Sequence, residues 1–130
     1  MIRLARIKPG MRVYDLGSGD GTLILEAGKT GAVAVGLEIN PFLVLWTTIR
    51  IFFSRQRTRT HVRWSNFWMA DLSDADVVFV YLLPWRMGKL AAKLKKELKT
   101  GSLIISNSFI FPDWPVLRQD TNQHIYVFRV

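Results

Sequence analysis

The sequence predicts an α/β fold with a mainly parallel sheet, in one domain over residues 1–130. Three observations predict it. Val13-Tyr14-Asp15-Leu16 is an apolar strand that runs through Gly17-Ser18-Gly19-Asp20-Gly21 into a helix. Strand patterns then alternate with helical ones, as parallel crossover units require. Val77–Leu83 is an unbroken apolar run, the pattern of a central strand covered on both faces.

Each element follows from local signals. Met1–Gly10 is a lead-in segment closed by a turn at Pro9-Gly10. The first strand covers about 12–16, and the first helix runs from about Gly21 to Lys29, with Asp20 as its cap and Gly31 as a left-handed stop. Ala32–Leu37 is a second buried strand ended by Glu38. Asn40-Pro41 opens a second helix, asparagine capping and proline in the first turn, that extends to about Arg55. This helix is apolar nearly all round, through Phe42, Leu43, Val44, Leu45, Trp46, Ile49, Ile51, Phe52 and Phe53. Core packing is its expected explanation, with self-association or membrane contact as alternatives.

A third strand follows at about 61–65, with Asn66-Phe67-Trp68 at its end. The stretch before the fourth strand, 76–83, is too short for a full helix. Pro84 then starts a helix whose Met87, Leu90, Ala91, Leu94 and Leu98 share one face, with lysines on the others, and Gly101 ends it. A fifth strand covers 102–106, Pro112–Pro115 form an irregular loop, and 124–130 is the last strand.

Composition bounds the function. Apolar residues make up 49% of the chain, which excludes a disordered one. No apolar run approaches the roughly 20 residues that span a bilayer. With no cysteine, disulfides, thiol catalysis and cysteine-ligated zinc are excluded. With no signal-peptide pattern at Met1, the expected location is cytoplasmic, with membrane association held open. The net charge of +8 points to an anionic or membrane-associated partner, balanced against a merely solvated basic surface.

The chemistry concentrates at the glycine turn. Glycines at alternate positions let backbone approach a ligand closely. The dinucleotide spacing G-x-G-x-x-G is not met, because the third glycine comes one position early and Thr22 stands in its place. Asp15 and Asp20 bracket the turn and would repel phosphates. They suit a ligand bearing an ammonium and a sulfonium, as S-adenosyl-L-methionine does. Glu38, about 20 residues past the turn, can accept hydrogen bonds from ribose hydroxyls.

With those residues in view, the chain resembles the class I S-adenosylmethionine-dependent methyltransferases. The resemblance rests on Asp15-Leu16-Gly17-Ser18-Gly19-Asp20-Gly21, Glu38 with Asn40-Pro41, and Asn66-Phe67-Trp68. Asp71-Leu72-Ser73-Asp74, the fourth strand into Pro84, the lysine-rich helix and Phe109-Ile110-Phe111-Pro112-Asp113-Trp114 further resemble a subfamily of small lysine methyltransferases. Its known members act on the ATP synthase c-subunit and the adenine nucleotide translocase. The similarity runs from about Lys8 to near the end.

The resemblance implies a minimal Rossmann-like methyltransferase fold, its sheet mainly parallel with an antiparallel last strand, and protein lysine N-methylation. It implies that Asp15 and the backbone of Gly17 and Gly19 hold the methionine moiety, with Ser18, Asp20, Gly21 and Asn40 alongside. Glu38 would bind the ribose, Ile39 and Phe67 would lie against the adenine, and Asn66 would receive the adenine amino group. Tyr81 and Trp85 are candidates for a lysine channel, although core packing is slightly favoured for both. Subfamily members carry an apolar membrane-targeting segment ahead of the domain, which is not seen here. Tyr81-Leu82-Leu83-Pro84 replaces the Asn-Pro-Pro-Tyr signature of enzymes that methylate amide or base nitrogens. His61 and His124 stand alone and read as structural, Trp46, Trp64 and Trp114 as packing. No catalytic residue and no metal ligand is identified. The alternatives are an RNA methyltransferase, served by the basic clusters, and a non-catalytic cofactor-binding protein.

Overall fold

A computed structural model describes all 130 residues. In chain order the elements are α1 (Ile2–Ala5), β1 (Arg12–Leu16), α2 (Thr22–Gly28), β2 (Val33–Glu38), α3 (Pro41–Phe52), β3 (Thr60–Trp64), β4 (Val77–Val80), α4 (Pro84–Glu97), β5 (Leu103–Asn107), β6 (Arg118–Asp120) and β7 (Ile125–Arg129). A single 3-10 turn, Phe67–Met69, replaces a helix between β3 and β4.

The strands form one seven-stranded sheet in the order β3-β2-β1-β4-β5-β7-β6. β1 pairs in parallel with β2 and β4, and β7 lies antiparallel to both β5 and β6. The expected parallel sheet with an antiparallel last strand is therefore present. β6 was not foreseen: Arg-Gln-Asp has no strand pattern, and only pairing with β7 makes it one.

Side chains alternate across the sheet, so β1 sends Val13 to one face and Tyr14 and Leu16 to the other. On the first face Val13, Ala34, Val77, Phe79 and Ile105 pack with Ile24 and Ala27 of α2 and Ile51 of α3. On the second, Val35, Val78, Val80 and Ile104 pack against Met87, Leu90, Ala91 and Leu94 of α4. The α4 stripe buries the residues that its spacing predicted.

Helix α3 overturns one expectation. Of its residues only Thr47 and Ile51 are buried, while Phe42 is 81%, Trp46 53% and Phe52 67% exposed. The helix lies over the edge strand β3, and no further element covers its outer side. Its apolar character is therefore not explained by the core. β4 also ends sooner than expected, at Val80. Tyr81, just past the end of β4, and Trp85, in the first turn of α4, were both slightly favoured as core and instead stand exposed. Trp46 and Trp64 are exposed as well, whereas Trp114 packs on Phe111 and Phe128 as expected.

Candidate functional site

The chain reverses its winding between β1 and β4, and in open α/β sheets ligands bind at the strand C-termini of such a switch point. The glycine turn leaves β1 there. Gly17, Gly19 and Gly21 all have positive φ, 79°, 57° and 82°, which side chains with a Cβ resist. The Gly17 and Ser18 N–H groups both donate to Leu37 O, at 2.8 and 3.1 Å, tying the turn to β2.

Glu38 ends β2 and holds two loops at once. One carboxylate oxygen accepts from Gly19 N–H at 2.8 Å, the other from Asn40 N–H at 2.9 Å. Each oxygen keeps lone-pair capacity for a further donor. Asn40 caps α3 by accepting from Phe42 N–H, as foreseen.

Asp15 sits below the turn, opposite Gly36 in the β1–β2 register. Burial, reinforced by the Glu38 charge, pushes its carboxyl up to about 7. No group of the protein supplies a compensating positive charge to this nearly inaccessible carboxylate.

A cleft of about 170 Å³ opens between these elements, lined by Gly17, Leu37, Glu38, Ile39, Ser65, Asn66, Phe67, Trp68 and Arg86. It brings together Gly17, Glu38, Ile39, Asn66 and Phe67 from three separate stretches of sequence. Larger hollows, of about 410 and 370 Å³, lie around Arg6 and Arg118 near the N-terminal ends of the strands and contain none of the predicted residues.

Other expected site residues take different positions. Ser18 is buried against Gly36, with its hydroxyl unpartnered. Asp20 turns outward and accepts from the Thr22 N–H and hydroxyl; these bonds, with Arg50 nearby, hold its carboxyl below its ordinary value. The formal cap of α2 is Gly21, not Asp20, because the carboxylate reaches only Thr22 in a local turn. Gly21 packs against Thr47 and does not reach the cleft. Asn66 already accepts from Trp68 N–H at 3.0 Å, which leaves its amide oxygen one free lone pair. His61 and His124 are exposed and outside the cleft.

Sequence reasoning missed Thr47 and Arg50. The Thr47 hydroxyl donates to Gly19 O at 3.1 Å and Arg50 donates to Asp20 O at 2.7 Å, so α3 clamps the glycine turn from above. It also missed Arg86 and Trp68 as lining residues. Trp68 was the last residue of a recognised motif but was given no role, and no sequence signal marked Arg86.

The residues suit S-adenosyl-L-methionine. A buried carboxylate without a countercharge calls for a cation. A Cβ built on Gly17 would meet nothing within 4 Å, so its backbone faces open space where a ligand can lie. The acidic end of β2 supplies acceptors.

This sheet order, with a glycine turn after β1 and a carboxylate ending β2, defines a class I S-adenosylmethionine-dependent methyltransferase fold. Within that class, residues 15–118 match the family described as the ANTKMT methyltransferase domain, and the chain belongs to it. It is 36% identical over 116 residues to a protein-lysine N-methyltransferase of Saccharolobus islandicus, covering 88% of this chain and 72% of that one. It is 32% identical over 114 residues to the human lysine N-methyltransferase of the ATP synthase c-subunit, covering 88% of this chain and 48% of the relative. It thus spans about half the length of the vertebrate relatives it matches. A crystal structure of an RNA methyltransferase from Salinibacter ruber, in complex with S-adenosyl-L-homocysteine, superposes with a TM-score of 0.91 at 33% identity, covering 98% of this chain and 84% of that one.

Proposed function

We propose that this chain is an S-adenosyl-L-methionine-dependent protein lysine N-methyltransferase, folded as a single methyltransferase domain over residues 1–130. The observation that carries the lysine reading is the similarity to the Saccharolobus protein-lysine N-methyltransferase across most of both chains. The buried, uncompensated Asp15 carboxylate carries the cofactor reading.

In this reading Asp15 pairs with the methionine ammonium, and the backbone of Gly17, Ser18 and Gly19 shapes the turn around it. Glu38 accepts from the ribose hydroxyls while keeping Gly19 and Asn40 in place. Ile39 and Phe67 flank the adenine, and the free lone pair of Asn66 receives its amino group. Asp20, Gly21 and Asn40 act at one remove, by setting the turn and the start of α3. When bound, the cofactor supplies a methyl group already activated on a sulfonium. The protein's work is then alignment of the nucleophile. Tyr81 and Trp85, both exposed and neither lining the cleft, guide a lysine side chain in this reading. No histidine lines the cleft, so deprotonation of the lysine falls to solvent, aided by desolvation at the apolar rim. The +8 charge supports an anionic or membrane-associated setting for the protein substrate.

RNA is the second reading, favoured by the Salinibacter enzyme's description and by the same positive charge. Blocking substrate amines decides between them. A protein pool should stimulate formation of S-adenosylhomocysteine, and prior acetylation of its lysines should abolish that stimulation. Stimulation by RNA, or by acetylated protein as strongly as by untreated protein, would remove the lysine reading.

A further inference from the structure

Helix α3 carries its apolar stripe outward. Phe42, Leu45, Trp46, Ile49, Phe52 and Phe53 recur at intervals of three and four, and all six are exposed. The opposite side is fixed in place: Thr47 and Arg50 hold the glycine turn, and Ile51 enters the core. The helix cannot roll its stripe inward without releasing that clamp. Single exposed apolar residues are ordinary, but a contiguous helical stripe of aromatics marks an interaction surface.

Charge says what covers it. No aspartate or glutamate occurs between Glu38 and Asp71. Arg55, Arg57 and Arg59 follow the helix directly and are all exposed. Aromatic and aliphatic side chains along one face, arginines at its end and no acid nearby make the pattern of a helix that lies in a membrane interface. No helix of the structure is long and apolar enough to cross a membrane. At 12 residues, α3 would lie in the interface plane. A second copy fits less well, because a two-fold contact sets the same patch against itself, and between residues 39 and 70 that patch has no acid to meet Arg55, Arg57 and Arg59.

We propose that the outer face of α3, with Arg55, Arg57 and Arg59, docks this protein peripherally on an anionic lipid bilayer. The first turn of α3 begins at the cleft, where Glu38 holds Asn40, so docking sets the mouth of the cleft beside the bilayer surface. The proposal does not depend on which nucleophile is methylated.

Cosedimentation tests it, using phosphatidylcholine vesicles with and without phosphatidylserine at low and high salt. The protein should bind the anionic vesicles and be released by salt. Combining Phe42→Ser, Trp46→Ser and Phe52→Ser should weaken binding about a hundredfold or more. Combining Arg55→Gln, Arg57→Gln and Arg59→Gln should weaken it about a hundredfold, at about fivefold per arginine. Unchanged circular dichroism would show that each variant is folded, and either variant alone can refute the proposal. Failure of the parent protein to bind anionic vesicles overturns it. So does binding that survives the apolar substitutions, which would be mere adsorption of a basic surface. A dimer broken by those substitutions, without vesicle binding, would assign the face to a second copy instead.

Discussion

Two carboxylates dominate at the scale of single residues. Asp15 has a folded-state pKa of about 7 against an ordinary 3.8, because burial and Glu38 both oppose its charge. The folded protein therefore holds a proton that the unfolded chain has lost between those values, and without ligand this residue's contribution to stability falls as pH rises through them. A bound ammonium reverses the preference. Affinity for S-adenosyl-L-methionine should thus rise as pH increases through about 7, and Asp15→Asn should bind weakly with a flattened profile. Calorimetric titrations at several pH values measure this, and a wild-type affinity independent of pH would show that Asp15 does not meet the ammonium. Glu38 contributes in two ways, since both its oxygens already hold backbone N–H groups. Glu38→Gln should lower stability by about 1.5–3 kcal/mol and also weaken cofactor binding, because charged hydrogen bonds are lost. An unchanged denaturation midpoint would contradict the structural half of that account. The sequence located both residues, since strand ends flanking a glycine turn are visible in one dimension. It did not reveal that Glu38 braces two loops, which depends on how the turn and α3 meet in space.

At the scale of elements, the glycine turn and α3 form one unit. Gly21 has a φ of 82° and faces the Thr47 side chain so closely that a Cβ would collide with it. Gly21→Ala should destabilise by about 2–4 kcal/mol, combining left-handed strain with overpacking. In a Thr47→Ala background the same change should cost only about 1–2 kcal/mol, since the strain remains and the collision does not. Equal costs in the two backgrounds, read from denaturant melts, would separate the turn from the helix. Helix α4 was legible from its periodicity because a helix packed on a sheet buries one stripe. Helix α3 was legible as a helix but not in its orientation. Apolar residues nearly all round it suggested the core, whereas polar anchors, Thr47 and Arg50, decide which side faces in. Tyr81 was misjudged because an apolar run alone does not say where β4 leaves the sheet, and Trp85 because it falls on the outer side of the first turn of α4.

At the scale of the whole molecule, the order β3-β2-β1-β4-β5-β7-β6 draws residues from 17, 38 and 66 into one cleft. That assembly was foreseen through the resemblance of successive motifs, while β6 and Arg86 had no sequence signal to announce them. Absence of a histidine from the cleft has a kinetic consequence. A lysine nucleophile has an unperturbed pKa of about 10.4, so the rate at saturating cofactor should keep rising with pH through about 9. A plateau beginning just above about 6.5 would instead require a histidine base, and His61→Ala and His124→Ala would show which.

Transfer of labelled methyl groups identifies the acceptor without assuming it. The protein is incubated with methyl-labelled S-adenosyl-L-methionine and a mixture of protein and RNA, and the label is located after digestion. Label should appear on lysine ε-amino groups, protease-sensitive and ribonuclease-resistant, with far less of it for Asp15→Asn. Label in nucleotides, or on residues other than lysine, would rule out a protein lysine methyltransferase.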